Sequence, residues 1–207
     1  MAVLQSNYSN EVSAALNLDV VAPGQVTGLS FTVEQGKVKL LWSAVTLDAQ
    51  GEALTDLKAY RIFRKEGAGE FALIATTVDA ATVTHEDTTA KDGASYVYAV
   101  AAIDTVDNEG VKSDELAVKT IPSVPQGLLA TPSETEIRLD WTTVKAEGDA
   151  KANENLAGYN VYRSETSGSG YEKIGNVDDA TVTFTDATAA EGKTYFYVVT
   201  AFDNSAA

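Results

Sequence analysis

One stretch of this chain occurs twice, and the spacing between its copies organises the rest of the sequence. Tyr96-Val-Tyr98-Ala-Val100-Ala-Ala102-Ile-Asp104 returns as Tyr195-Phe-Tyr197-Val-Val199-Thr-Ala201-Phe-Asp203. In each copy alternate residues fall on one face of an extended chain, the pattern of a core β-strand. The same offset carries Pro23 to Pro122, Gly28-Leu29 to Gly127-Leu128, Leu40 to Leu139, Trp42 to Trp141, Tyr60 to Tyr159, Arg64 to Arg163, Asp87 to Asp186 and Gly93 to Gly192. A fixed offset kept over this length means one fold used twice.

Each unit reads as short strands separated by turn signals, with no helical period. The first predicts strands near 28–34, 37–43, 58–65, 71–76, 81–86, 95–103 and 112–119. The second predicts them near 127–132, 136–142, 157–164, 171–176, 181–186 and 194–202. Gly67-Ala-Gly69 and Ser167-Gly168-Ser-Gly170 lie between strands as loop tips. Their Gly-x-Gly spacing lacks the following helix that a phosphate loop requires.

Seven strands in about 100 residues, with one Trp on the second strand and a Tyr opening the sixth, resemble a fibronectin type III domain. The motifs are Trp42 or Trp141, Tyr60-Arg-Ile-Phe-Arg64 or Tyr159-Asn-Val-Tyr-Arg163, and the two Tyr-x-Tyr-x-Val runs. The inserts Leu47-Asp-Ala-Gln-Gly-Glu-Ala-Leu54 and Asn153-Glu-Asn-Leu156-Ala-Gly158 resemble those of secreted bacterial or archaeal members. The resemblance implies two tandem seven-stranded β-sandwiches, an all-β fold outside the cell or on its surface. It makes Trp42 and Trp141 core anchors and gives Tyr96 and Tyr195 a corner hydrogen bond. Residues 1–20 read as an N-terminal strand and connector, 21–121 as the first domain and 122–207 as the second. Ile121-Pro-Ser-Val-Pro125 is the linker, its prolines limiting the hinge.

The second unit is expected to lack its own last strand. After Asp104 the first unit continues through Ser113-Asp-Glu115-Leu116-Ala-Val118, whereas Asp203 is followed by Asn204-Ser-Ala-Ala207. The N-terminus carries a segment of the missing kind, since Ser9-Asn-Glu11-Val12 parallels Ser113-Asp-Glu115-Leu116. Leu4, Tyr8, Val12, Ala14 and Leu16 share one face of that segment, as a half-buried strand requires. The expectation is donor-strand complementation. These five residues would enter a neighbouring copy along an acceptor edge of Tyr195, Tyr197, Val199 and Ala201. Donor and acceptor are different surfaces, so repetition yields a filament, a homopolymer of the chain with itself. A reciprocal swapped dimer, a piece of a longer tandem array, and a spacer or accessory binding module of a larger secreted enzyme or adhesin are the alternatives.

Charge narrows the partners. Thirty acidic against 15 basic residues give a net charge of -15, which repels nucleic acid and anionic membranes and suits cations and basic surfaces. No apolar run reaches the roughly 18–20 residues of a membrane helix, because residues 12–22 are broken by Asn17 and Asp19. There is no Cys, which argues against a disulfide scaffold or a Cys-ligated zinc site. The first residues lack the basic region and apolar stretch of a signal peptide, leaving a mature segment with a start Met or an intracellular chain.

Enzyme chemistry finds little footing. The one histidine, His85, aligns with Phe184 and reads as a strand residue, and no Gly-x-Ser-x-Gly elbow occurs. Asp87 and Asp186 belong to different domains and make a poor glycosidase pair. No cofactor is expected beyond calcium, for which Asp104, Asp107, Asn108 and Glu109 are the candidate ligands, with Asp48, Glu52 and Asp56 as a second acidic loop. Asn7-Tyr8-Ser9 is a glycosylation sequon that would place a sugar on the donor strand's outer face. Glycan binding is a weaker option, because the aromatics occupy core-pattern positions.

Overall fold

A computed structural model describes residue 10, residue 13 and residues 19–144 and 156–204. The donor-strand residues Leu4, Tyr8, Val12, Ala14 and Leu16 and the sequon Asn7 lie outside the described residues.

The first unit contains β1 (Ser30–Glu34), β2 (Lys37–Leu41), β3 (Leu57–Glu66), β4 (Ala72–Thr76), β5 (Thr84–Asp87), β6 (Ser95–Asp104) and β7 (Leu116–Lys119). The second contains β8 (Gln126–Pro132), β9 (Ile137–Thr142), β10 (Leu156–Ser164), β11 (Glu172–Asp178), β12 (Thr183–Asp186) and β13 (Phe196–Asp203). All the pairings between these strands are antiparallel. The first unit forms a sheet ordered β1-β2-β5 and another ordered β4-β3-β6-β7. The second repeats this as β12-β9-β8 and β11-β10-β13. Both units are thus fibronectin type III-like β-sandwiches, and the second has no counterpart of β7 among the described residues.

Alternation explains how the layers close. On the β1-β2-β5 sheet Val38, Leu40 and Trp42 point inward, and they meet Tyr60 and Ile62 of β3 and Tyr96, Tyr98, Val100 and Ala102 of β6. Trp42 stands edge-on to Tyr60 with ring centroids 5.4 Å apart, and Trp141 to Tyr159 at the same distance. The tyrosine hydroxyls then accept backbone N–H groups at 3.0 Å, from Val45 in one unit and Val144 in the other. Tyr96 and Tyr195 make the expected corner bonds, accepting from the N–H of Lys91 at 3.0 Å and of Ala190 at 3.2 Å.

The strands fall within about three residues of where the sequence pattern places them, apart from β7, with β5 beginning at Thr84 rather than 81 and β2 ending at Leu41 rather than 43. Residues 112–115 join the sheet through separate hydrogen bonds rather than as ladder, so β7 begins at Leu116. β1 begins at Ser30, after Gly28 with its left-handed φ of 67°; Gly127 has the same φ within β8, where the ladder to β9 is broken between Gln126 and Leu129. In the second unit β13 begins at Phe196, so Tyr195 immediately precedes the strand. No helix among the described residues is long and apolar enough to cross a membrane.

Candidate functional site

Each unit holds a polar network that ties one sheet to the other. Arg64 of β3 reaches Asp87, at the end of β5, with an Nη1–Oδ2 distance of 2.6 Å, and its Nη1 also donates to Thr89 at 2.9 Å. The Tyr98 hydroxyl donates to the same carboxylate at 2.8 Å, while the N–H and hydroxyl of Thr89 donate to its second oxygen at 2.9 and 2.7 Å. The second unit reproduces the arrangement with Arg163, Asp186, Tyr197 and Thr188 at 2.7–2.9 Å. Burial alone would raise both carboxylates' pKa, but the bonds from threonine, tyrosine and arginine outweigh it and hold Asp87 and Asp186 below the ordinary carboxylate range. Burial, reinforced by the neighbouring carboxylate, raises Tyr98 and Tyr197. Both carboxylate oxygens, the tyrosine hydroxyl and the arginine Nη1 are engaged internally in each unit, so the network braces the fold. Sequence reasoning used Arg64/Arg163, Asp87/Asp186 and Tyr98/Tyr197 as marks of the repeat and set Asp87 and Asp186 aside as an improbable glycosidase pair. It did not join them, with Thr89 and Thr188, into one network.

His85 sits on β5 opposite Leu40, where burial lowers its pKa, in keeping with a strand residue.

A second cluster lies at the pole of the first unit where the chain enters. The carboxylates of Asp19, Asp56 and Asp104 bring one oxygen each within 4.8 Å of one another. Asp104 is fully buried, and its oxygens accept from the N–H groups of Val106 and Asn108 at 2.9 Å and from Asn108 Nδ2 at 2.8 Å. Asn108 Nδ2 also reaches the Asp19 carbonyl at 3.3 Å. The hydrogen bond with Asp19, then burial, then the Asp19 charge raise the Asp56 pKa. Three carboxylates could hold one hard cation, though calcium takes six to eight oxygens. Of the expected calcium residues, Asp104 and Asn108 and, from the second acidic loop, Asp56 join this group. Asp107 is neutralised by Lys58 at 2.7 Å, and Glu109 by Arg61 at 2.8 Å and Lys112 at 3.3 Å. Asp48 caps its own loop by accepting the N–H groups of Gln50 and Glu52 at 2.9 Å. Asp19 escaped notice in the sequence because it stands far along the chain from the loops it joins.

The third feature is the flank of β13. In the first unit β6 is bordered by β3 on one side and by residues 110–119 on the other. There the N–H groups of Gly110 and Ser113 donate to the carbonyls of Ala102 and Val100 at 2.9 and 2.8 Å, and the Ser113 hydroxyl accepts the Val100 N–H at 3.1 Å. β13 pairs with β10, and no second strand borders it among the described residues. The consequence shows in exposure: Tyr98 and Ala102 are fully buried, whereas their counterparts Tyr197 and Ala201 are half-buried. A groove of about 430 Å³ runs between Val199–Asp203 and linker residues 121–125.

No known family profile matches the chain. Exoglucanase B of Cellulomonas fimi is 32% identical over 197 residues, which is 90% of this chain and 16% of that protein. The amylopullulanase of Thermoanaerobacterium saccharolyticum is 33% identical over 91 residues, 44% of this chain and 6% of that enzyme. The chain therefore spans less than a fifth of the length of either relative. A two-domain fibronectin type III segment of chicken tenascin superposes with a TM-score of 0.48 at 12% identity, covering 86% of this chain and 91% of that one.

Proposed function

We propose that this chain is a pair of non-catalytic spacer modules belonging to a secreted polysaccharide-degrading enzyme, and that it works outside the cell. The observation that carries this reading is the match to an exoglucanase along 90% of the chain, a match that takes up only 16% of that enzyme. An amylopullulanase, with a different named activity, matches a stretch of about one unit, and a portion shared between the two cannot supply what distinguishes them. The interior supports the same reading, since the paired Arg, Asp and Tyr groups of each unit are spent on bracing the sandwich. Trp42 and Trp141 are each 5% exposed and form no platform for a sugar ring. The test is to incubate the purified chain with cellulose, starch and pullulan. No release of reducing ends and no retention on the insoluble polymers are expected. Sugar release would overturn the non-catalytic reading, and retention would turn the spacer into a binding module.

The flank of β13 favours a second reading, a structural subunit of an extracellular filament assembled head to tail by strand insertion. Electron microscopy of the concentrated chain tests it: unbranched fibres are expected, and uniform single particles would end it.

A further inference from the structure

We infer that Gln35 and Asp92 form a clasp that pins the linker to the first unit, leaving Ser123 as the joint and making the two units a stiff pair. This rests on the spacer reading above and names what sets the spacer's angle. The clasp is built from two loops, the turn between β1 and β2 and the turn at residues 91–94 before β6, which meet where the linker leaves. Asp92 accepts the Gly36 N–H at 2.9 Å on one carboxylate oxygen, and Gln35 Nε2 donates to the other. The same nitrogen donates to the Pro122 carbonyl at 3.3 Å.

Deeper bonds anchor the residues just before. The Gly93 N–H donates to the Ile121 carbonyl at 2.8 Å, and the Thr120 N–H to the Ala94 carbonyl at 2.9 Å. The buried Thr120 hydroxyl donates to the Lys91 carbonyl at 2.7 Å and accepts the Ala94 N–H at 2.8 Å. From the other side the second unit takes hold at Val124, whose carbonyl accepts from Gln126 Nε2 at 3.0 Å, while the Gln126 carbonyl accepts the Thr142 hydroxyl at 2.9 Å. Proline stiffens what lies between. Pro122 and Pro125 fix their own φ, and Ile121 and Val124, each preceding a proline, are confined to extended conformations. Within the linker Ser123 alone keeps both backbone dihedrals. A cavity of about 450 Å³ lies between Gln35 and Asp92 on one side and Gln126 and Thr142 on the other, so the linker rather than a packed interface sets the angle there.

The repeat supplies an internal control. Gly93 returns as Gly192 and the Tyr96 corner bond as that of Tyr195, but Gln35 and Asp92 fall on Glu134 and Glu191. Two ionised carboxylates are acceptors only and cannot bond each other. The second unit nonetheless closes its core around Trp141 and Tyr159. Folding a unit therefore does not require the clasp, and what the clasp adds to the first unit is the bond to Pro122.

The test uses the full chain, which has no cysteine of its own. Val78→Cys and Asp179→Cys lie in corresponding exposed loops of the two units and carry a spin-label pair, whose distance distribution is read by double electron–electron resonance. The labelled chain should give one narrow distribution. Inserting two glycines after Ser123 should broaden it about twofold or more, the behaviour of units on a flexible tether. Gln35→Met, which removes the donor without adding charge, should broaden it part of the way. The Gln35→Glu, Asp92→Asn pair restores an amide–carboxylate bond between the two loops, and with it the first unit's melting temperature should Gln35→Met lower it, but residue 35 then offers Pro122 no donor. Its distribution should stay broad. A labelled chain as broad as the glycine insertion overturns the stiff pair. A distribution as narrow as the parent's in Gln35→Met or in the swapped pair overturns the bond to Pro122 as the clasp. Sugar release by the chain, or its retention on the polymers, would end the spacer reading and leave the distribution as it is, whereas a broad parent distribution would end the stiff pair and leave the spacer reading standing.

Discussion

At the residue scale the two Asp-centred networks set the acid limit of the fold. Asp87 and Asp186 are both about as buried as any side chain here, and both are ionised because arginine, tyrosine and threonine hold them so. Their folded pKa lies below the unfolded value, so their stabilising contribution is complete above about pH 4 and is lost as pH falls through the depressed value. Urea midpoints measured from pH 7 to pH 3 should fall more for wild type than for the Asp87→Asn, Asp186→Asn double variant. Tyr98→Phe removes one charge-assisted bond and should cost about 1.5–3 kcal/mol at pH 7 by urea denaturation; Tyr197→Phe should cost less, because its ring is partly solvated. Asp56 behaves in the opposite sense. Its raised pKa means that the ionised form costs stability at neutral pH and that the cost is relieved on acidification. Asp56→Asn should therefore raise the urea midpoint at pH 7 and change it little at pH 4; a lower midpoint at pH 7 would show that the carboxylate is needed there.

At the element scale the strands were legible and the contacts between them were not. Period-two alternation and a constant offset locate β2, β3, β6 and their repeats to within a residue or two, because each carries an uninterrupted run of inward apolar side chains. The Arg64–Asp87 and Asp19–Asp104 contacts have no such signature, since they join segments that local periodicity does not relate. The expected calcium residues divide for a related reason: proximity in sequence puts Asp107 beside Asp104, but the turn sends Asp107, with a φ of 70°, outward to Lys58. The seventh strand of the first unit illustrates a steric demand that sequence states only indirectly. Gly110 passes so close to the entering segment that a Cβ there would collide with the Pro23 carbonyl. Gly110→Ala should destabilise the first unit by about 1–3 kcal/mol, read as a lower urea midpoint with an unchanged slope.

For the whole molecule, the two units share one core pattern and differ, among the described residues, in what borders the sixth strand, the difference the sequence leads one to expect. Leu40 and Leu139 occupy the same place and both are fully buried, so truncating either leaves a similar cavity at the Trp–Tyr pair. The surroundings differ: the first core is closed by Val118 of β7, and the second core has no such residue among those described. A sandwich lacking one bordering strand exposes apolar surface on its last strand and keeps an unsatisfied edge. Calorimetry of the chain should resolve two transitions, the lower belonging to the second unit. Leu139→Ala should shift only the lower one and Leu40→Ala only the upper, each by the equivalent of about 2–5 kcal/mol. A single transition lowered by both leucine variants would instead mean that the two units unfold as one, and that the flank of β13 is not the weak point of the molecule.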